Sequence, residues 1–135
     1  MTSKLVLDNL AGRTTAGSIA VVAEGNGTTT NLQQGLAKVW MVDETLRANS
    51  NVVEDSFNRA SATDTADGNL VVAFTNVFAT TGYASKGSCM SYSKNDIITT
   101  KWNTPTTSQE GIFAQDAGGT DTDQSIAYSA HGDLA

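Results

Sequence analysis

The stretch that decides the fold runs from residue 55 to residue 74: Asp55-Ser56-Phe57-Asn58-Arg59-Ala60-Ser61-Ala62-Thr63-Asp64-Thr65-Ala66-Asp67-Gly68-Asn69-Leu70-Val71-Val72-Ala73-Phe74. Asp55 to Ala60 and Leu70 to Phe74 read as short strands, with the turn-forming run Asp64 to Asn69 between them. Asp67-Gly68 is the clearest hairpin signal in the chain. Glycine takes the positive φ that a tight turn needs, and aspartate can hydrogen-bond its own backbone.

Similar short runs lie on both sides. Leu5-Val6-Leu7 ends at Asp8-Asn9, Ile19 to Ala23 at Glu24-Gly25-Asn26-Gly27, and Lys38 to Val42 at Asp43-Glu44. Further on come Tyr83 to Tyr92, Ile97 to Trp102, Gly111 to Ala114 and Ser125 to His131. In the last of these, Ile126, Tyr128 and Ala130 share one face, as the period of two in a strand requires. The one helical candidate, Asn31 to Lys38, is limited to a turn or two by Gly35. Turn signals every 8–12 residues, without alternating helices, predict an all-β fold: an antiparallel, jelly-roll-like β-sandwich.

Composition supports this reading and removes other classes. Among 135 residues there are 19 Thr, 12 Ser, 12 Gly and 10 Asn, a mixture of β-branched strand formers and turn formers. The net charge of -6 argues against a module that grips nucleic-acid phosphates. The single cysteine, Cys89, excludes an intrachain disulfide. Apolar runs reach only four or five residues, too short for a membrane helix, and the N-terminus has no secretory h-region. Manufacture in a cytosol is expected, with lysis as one signal-free way out.

Two asymmetries divide the chain. All nine aromatic side chains lie beyond Gly35, so residues 36–135 are expected to hold the core and residues 1–35 to form an extended arm that cannot fold alone. Leu5, Leu7, Ile19 and Val21 are the arm's assembly candidates. Beyond Lys101 there are five acidic residues and no basic one, which reads as a solvated acidic edge.

Catalytic constellations are weak. His131 is the lone histidine, no Gly-x-Ser-x-Gly elbow occurs, and Ser88-Cys89 with a distant histidine is poor support for a thiol hydrolase. Cys89 reads as a small buried hydrophobe and His131 as a rim residue on a terminal strand. Asp121 and Asp123 resemble a fragment of a calcium loop and Asp64/Asp67 form a second acidic turn, but neither has a full ligand set, so turn chemistry accounts for both. Trp40 and Trp102 are candidate platforms for a sugar or base, although packing into the core is the commoner fate of a strand tryptophan. The expectation is a protein that is not an enzyme and needs no cofactor.

Leu32-Gln33-Gln34-Gly35-Leu36-Ala37-Lys38-Val39-Trp40, then Asp55-Ser56-Phe57-Asn58, then Gly68-Asn69-Leu70-Val71-Val72-Ala73-Phe74-Thr75 form a recognisable series. With Gly82-Tyr83-Ala84, the closing Gly132-Asp133 and the upstream Leu10 to Ile19, it resembles a family of small virion structural proteins and tail-fibre domains. These occur in tailed phages of marine bacteria, including cyanobacteria. The chain departs from the family at Val42 to Arg47, where an Asn-Gly type turn is usual, and in the acidic segment after Lys101. The resemblance implies a homo-oligomeric, most often trimeric, β-sandwich exposed on a phage particle assembled in the host cytoplasm. It would contact other virion proteins, and host-surface glycan is a further expected partner. On this reading the chain is a short tail-fibre, knob or adaptor-like piece. The alternatives are a capsid-decoration (cement) protein on the head lattice and a carbohydrate-binding module.

Overall fold

The computed structural model describes residues 5–12, 19–22, 29–43, 53–90, 97–100 and 105–135. The chain falls into two units, Met1–Leu36 and Ala37–Ala135.

In the first unit, β1 (Ala20–Val22) and β2 (Thr29–Asn31) form an antiparallel hairpin in which Ala20 faces Asn31 and Val22 faces Thr29. One helical turn, α1 (Leu32–Gly35), follows directly, and the Leu32 N–H donates to the Ile19 carbonyl at 2.9 Å. The turn or two expected within Asn31 to Lys38 is this single turn. The strand expected at Leu5-Val6-Leu7 is not formed: residues 5–12 carry no strand. Strand backbone needs a ladder partner, and among the described residues none pairs with this stretch.

The second unit is all-β. Its described strands are β3 (Val39–Asp43), β4 (Val53–Phe57), β5 (Arg59–Ala66), β6 (Asn69–Phe74), β7 (Ala84–Cys89), β8 (Ile97–Thr100), β9 (Gln109–Gln115) and β10 (Ile126–His131). They form two four-stranded antiparallel sheets, β4-β3-β10-β7 and β5-β6-β9-β8. Of the jelly-roll-like expectation, the two layers of four antiparallel strands are what this strand order carries.

Alternation builds the core between the sheets. Val39 and Met41 of β3, Leu70, Val72 and Phe74 of β6, Ile112 of β9, and Ile126, Tyr128 and Ala130 of β10 join one buried cluster. The face of β10 shared by Ile126, Tyr128 and Ala130 is the one that packs inward. Phe74, Phe78 and Tyr83 close one region of the cluster: Phe74 meets both other rings edge-on, at 5.3 and 5.8 Å, and Phe78 stacks on Tyr83 at 4.3 Å. Edge-to-face and stacked pairs of this kind add about 1 kcal/mol each beyond the area they bury.

The hairpin at Asp67-Gly68 forms as expected, but its strands run closer to the turn, with Ala66 paired to Asn69. Gly68 has φ 71°, and a Cβ there would collide with the Ala114 carbonyl and crowd the Thr122 N–H. Glycine is required twice over, by conformation and by space.

A single residue, Asn58, carries the chain from β4 in one sheet to β5 in the other. It holds φ 58°, its side-chain NH2 donates to the Lys38 and Asn76 carbonyls at 3.0 Å each, and its Oδ1 accepts from the Asn76 N–H at 2.6 Å. Asparagine tolerates this left-handed conformation better than most residues. Arg59, the next residue, forms a 3.1 Å ion pair with the buried Asp43 of β3.

Candidate functional site

The solvent face of the β4-β3-β10-β7 sheet carries the most distinctive surface. On β3 the inward positions go to Val39, Met41 and Asp43, which turns Trp40 and Val42 outward. Trp40 is 36% exposed and lies outside the core cluster, so the commoner fate of a strand tryptophan does not apply to it. The uniformly apolar run Val39 to Val42 hid this alternation. Phe57 of β4 stands opposite Trp40 and is also exposed.

The middle strand of this region, β10, turns the small side chains of Ala127 and Ser129 outward. Ser129 lies between Trp40 on β3 and Lys86 on β7, and Ala127 lies between Val42 and Ser88. Small residues flanked by large ones leave a trough along β10 of about 370 Å³, within the size range of small-ligand sites. One wall is an indole, the floor bears a hydroxyl and a methyl, and the other wall bears an ammonium and a hydroxyl. His131 continues the same strand opposite Ala84 and is half-buried. Trp102, the other platform candidate, lies outside the described residues.

A buried polar node lies between the sheets. Glu110 of β9 is 1% exposed; its Oε1 accepts from Ser85 Oγ of β7 at 2.6 Å and its Oε2 from Tyr128 Oη of β10 at 2.5 Å. Burial, then the hydrogen bond to Glu110 and its negative charge, push the Tyr128 hydroxyl well above its ordinary titration range. Burial first, and the Glu110 charge second, do the same to Tyr83. Both oxygens of this carboxylate are engaged, so the node ties sheet to sheet. Sequence reading placed the strand at Gly111 to Ala114 and missed Glu110, although a glutamate two residues before Ile112 falls on the inward face by alternation.

The acidic turns accept hydrogen bonds from backbone and side-chain N–H groups of the chain itself. Asp123 Oδ1 accepts the Gly68 N–H at 2.7 Å, and Asp121 Oδ1 accepts from Gln115 Nε2 at 3.1 Å. Asp116 Oδ1 takes the N–H groups of Gly118 and Thr120 at 2.8 and 2.9 Å. Asp121 and Asp123 are therefore held in separate protein contacts, and among the described residues no group of three or more His, Cys, Asp or Glu side chains is placed to hold a metal ion. Asp64 titrates above its ordinary value, first through desolvation and then through the charge of Asp123. Cys89 is half-buried, more open than the buried hydrophobe expected.

Of the arm candidates, Leu5 is 81% exposed and Leu7 and Val21 are each 52% exposed, whereas Ile19 is half-buried. Among the described residues no helix is long and apolar enough to cross a membrane. No family model, curated protein or solved structure matches the chain.

Proposed function

We propose that this chain is a non-enzymatic structural component of a phage particle: a short tail-fibre, knob or adaptor-like piece that assembles as a homo-oligomer, with three copies the expected number. Residues 1–36 attach and assemble it, and the β unit from Ala37 onward is displayed. The observation that carries this reading is the exposure of Leu5, Val6, Leu7, Leu10, Val21 and Val22 within one short segment. Apolar side chains left in water over such a stretch mark a surface that another chain covers. A two-stranded hairpin is also marginal by itself and gains stability from further strands or a packed partner.

Quantitative mass spectrometry of purified particles tests the reading. The expected result is a copy number that is a small multiple of three per tail. A count in the hundreds would transfer the protein to the head as a decoration protein on the capsid lattice. Its absence from particles would remove both versions.

A further inference from the structure

We propose that the trough along β10 binds a saccharide segment bearing an anionic substituent, with a sugar ring on the Trp40 indole and its carboxylate or sulfate on Lys86. This inference stands apart from the particle reading, because it rests only on the outer face of one sheet.

The cross-strand register sets the geometry. Trp40, Ser129 and Lys86 occupy one row across three adjacent strands. Two interstrand steps separate Trp40 from Lys86 by roughly 10 Å. That span accommodates one pyranose ring together with an exocyclic acidic group. The C–H face of a pyranose is apolar and stacks on a flat indole, while its hydroxyls need donors and acceptors at the edge of the ring. Ser129 on the floor and Ser88 on the far wall supply them.

Charge chooses among sugars. Lys86 is exposed at the trough, and among the described residues it has no carboxylate partner. Asp55, the acidic residue of the neighbouring row, lies on β4 beyond Val42 and thus on the side away from Lys86. An anionic substituent therefore meets a cation in the trough even though the chain as a whole is acidic. The trough is also shallow, lying on a sheet face and not inside the sandwich. That shape suits an internal stretch of a polysaccharide better than a small ligand that must be enclosed. Phe57, beside Trp40 on β4, extends the aromatic strip for a neighbouring sugar unit.

The full chain, labelled with 15N, should be titrated by NMR with an alginate hexasaccharide as the acidic probe and cellohexaose as the neutral one. Alginate should shift the amides of β3, β7 and β10 and the Trp40 indole. Trp40→Ala should weaken alginate binding by about tenfold or more, and Lys86→Gln by about threefold while leaving cellohexaose binding unchanged. Ser129→Gln, which fills the trough and keeps the aromatic, should block binding as well. All three positions face outward, so the thermal midpoint should hold within about 3 °C and confirm that the variants fold. Three results would each overturn the proposal. One is the absence of shifts with either probe. Another is equal binding of both probes that ignores Lys86→Gln. The third is the same residues shifting with protein concentration alone, which would give the face to a second copy of the chain.

Discussion

The two units handle apolar side chains in opposite ways. In Ala37–Ala135, valine, leucine, isoleucine and methionine side chains alternate into a common interior, and Val39, Leu70, Val72, Ile112 and Ile126 are completely buried. In Met1–Leu36, side chains of the same chemistry stay more than half exposed at Leu5, Val6, Leu7, Leu10, Val21 and Val22. Both segments carry the apolar runs of strands. What differs is the number of partner strands and the absence of any aromatic ring from the first 35 residues. A strand-like sequence becomes a strand only where backbone partners and a surface to cover are at hand. The second unit contains both within itself, and we propose that the first obtains them from neighbouring copies.

The largest expected effect tests this contrast directly. Met41→Ala or Ile112→Ala should destabilise the β unit by about 2–5 kcal/mol in urea unfolding, through lost burial and the cavity left behind. Leu7→Ala should change that same transition by less than about 0.5 kcal/mol while reducing self-association measured by sedimentation. Similar losses of stability from both substitutions would erase the distinction.

Next in size is the buried node. Glu110→Ala should cost about 3 kcal/mol, since it opens a cavity and strips the Tyr128 and Ser85 hydroxyls of their acceptor. Glu110→Gln, which keeps volume and one carbonyl acceptor, should cost clearly less. Equal costs would mean that the carboxylate is not the tie between the sheets.

At the hairpin, Gly68→Ala should cost about 2 kcal/mol or more, combining a strained φ with the collision against Ala114. Asp123→Ala should cost about 1 kcal/mol through loss of the bond to the Gly68 N–H. The order of these two midpoints in thermal unfolding is the check.

The smallest effect is a pH dependence. Tyr128 and Tyr83 both titrate above their ordinary value near 10 in the folded protein. Up to about pH 10 their contribution to stability is complete. Above that, the unfolded chain releases tyrosine protons that the native fold retains, so stability falls as pH rises. Urea unfolding at pH 8, 9.5 and 11 should show the decline, and Tyr128→Phe should flatten it. A profile that is unchanged in the Phe variant would show that Tyr128 takes no part.

Much of the β unit was legible in the sequence because its signals are local. Asp67-Gly68 marked the hairpin, and the period of two in Ser125 to His131 grouped the residues that share the buried face of β10. Positions set by distant residues were not legible. The corner at Asn58 is fixed by carbonyls of Lys38 and Asn76 on other segments, and nothing near Asn58 in the chain signals a change of sheet. Glu110 looked like a surface carboxylate because its partners come from β7 and β10. Trp40 was ambiguous because every residue from Val39 to Val42 is apolar, so only register could decide which side of the sheet it occupied. The two calcium-like aspartates were legible as polar turn residues, but their partners were not: Asp123 accepts from the N–H of Gly68, 55 residues away in the chain, and Asp121 from the Gln115 side chain. The trough could not be read from the sequence at all, since it arises from small residues of β10 lying between two strands that are remote in the chain.

The division of labour between the units is tested most directly by native mass spectrometry of the full chain beside a chain that begins at Ala37. The account predicts a defined oligomer, with three copies expected, for the full chain, and a folded monomer for the shortened one. Monomers in both cases, or unchanged assembly after the first 36 residues are removed, would contradict it.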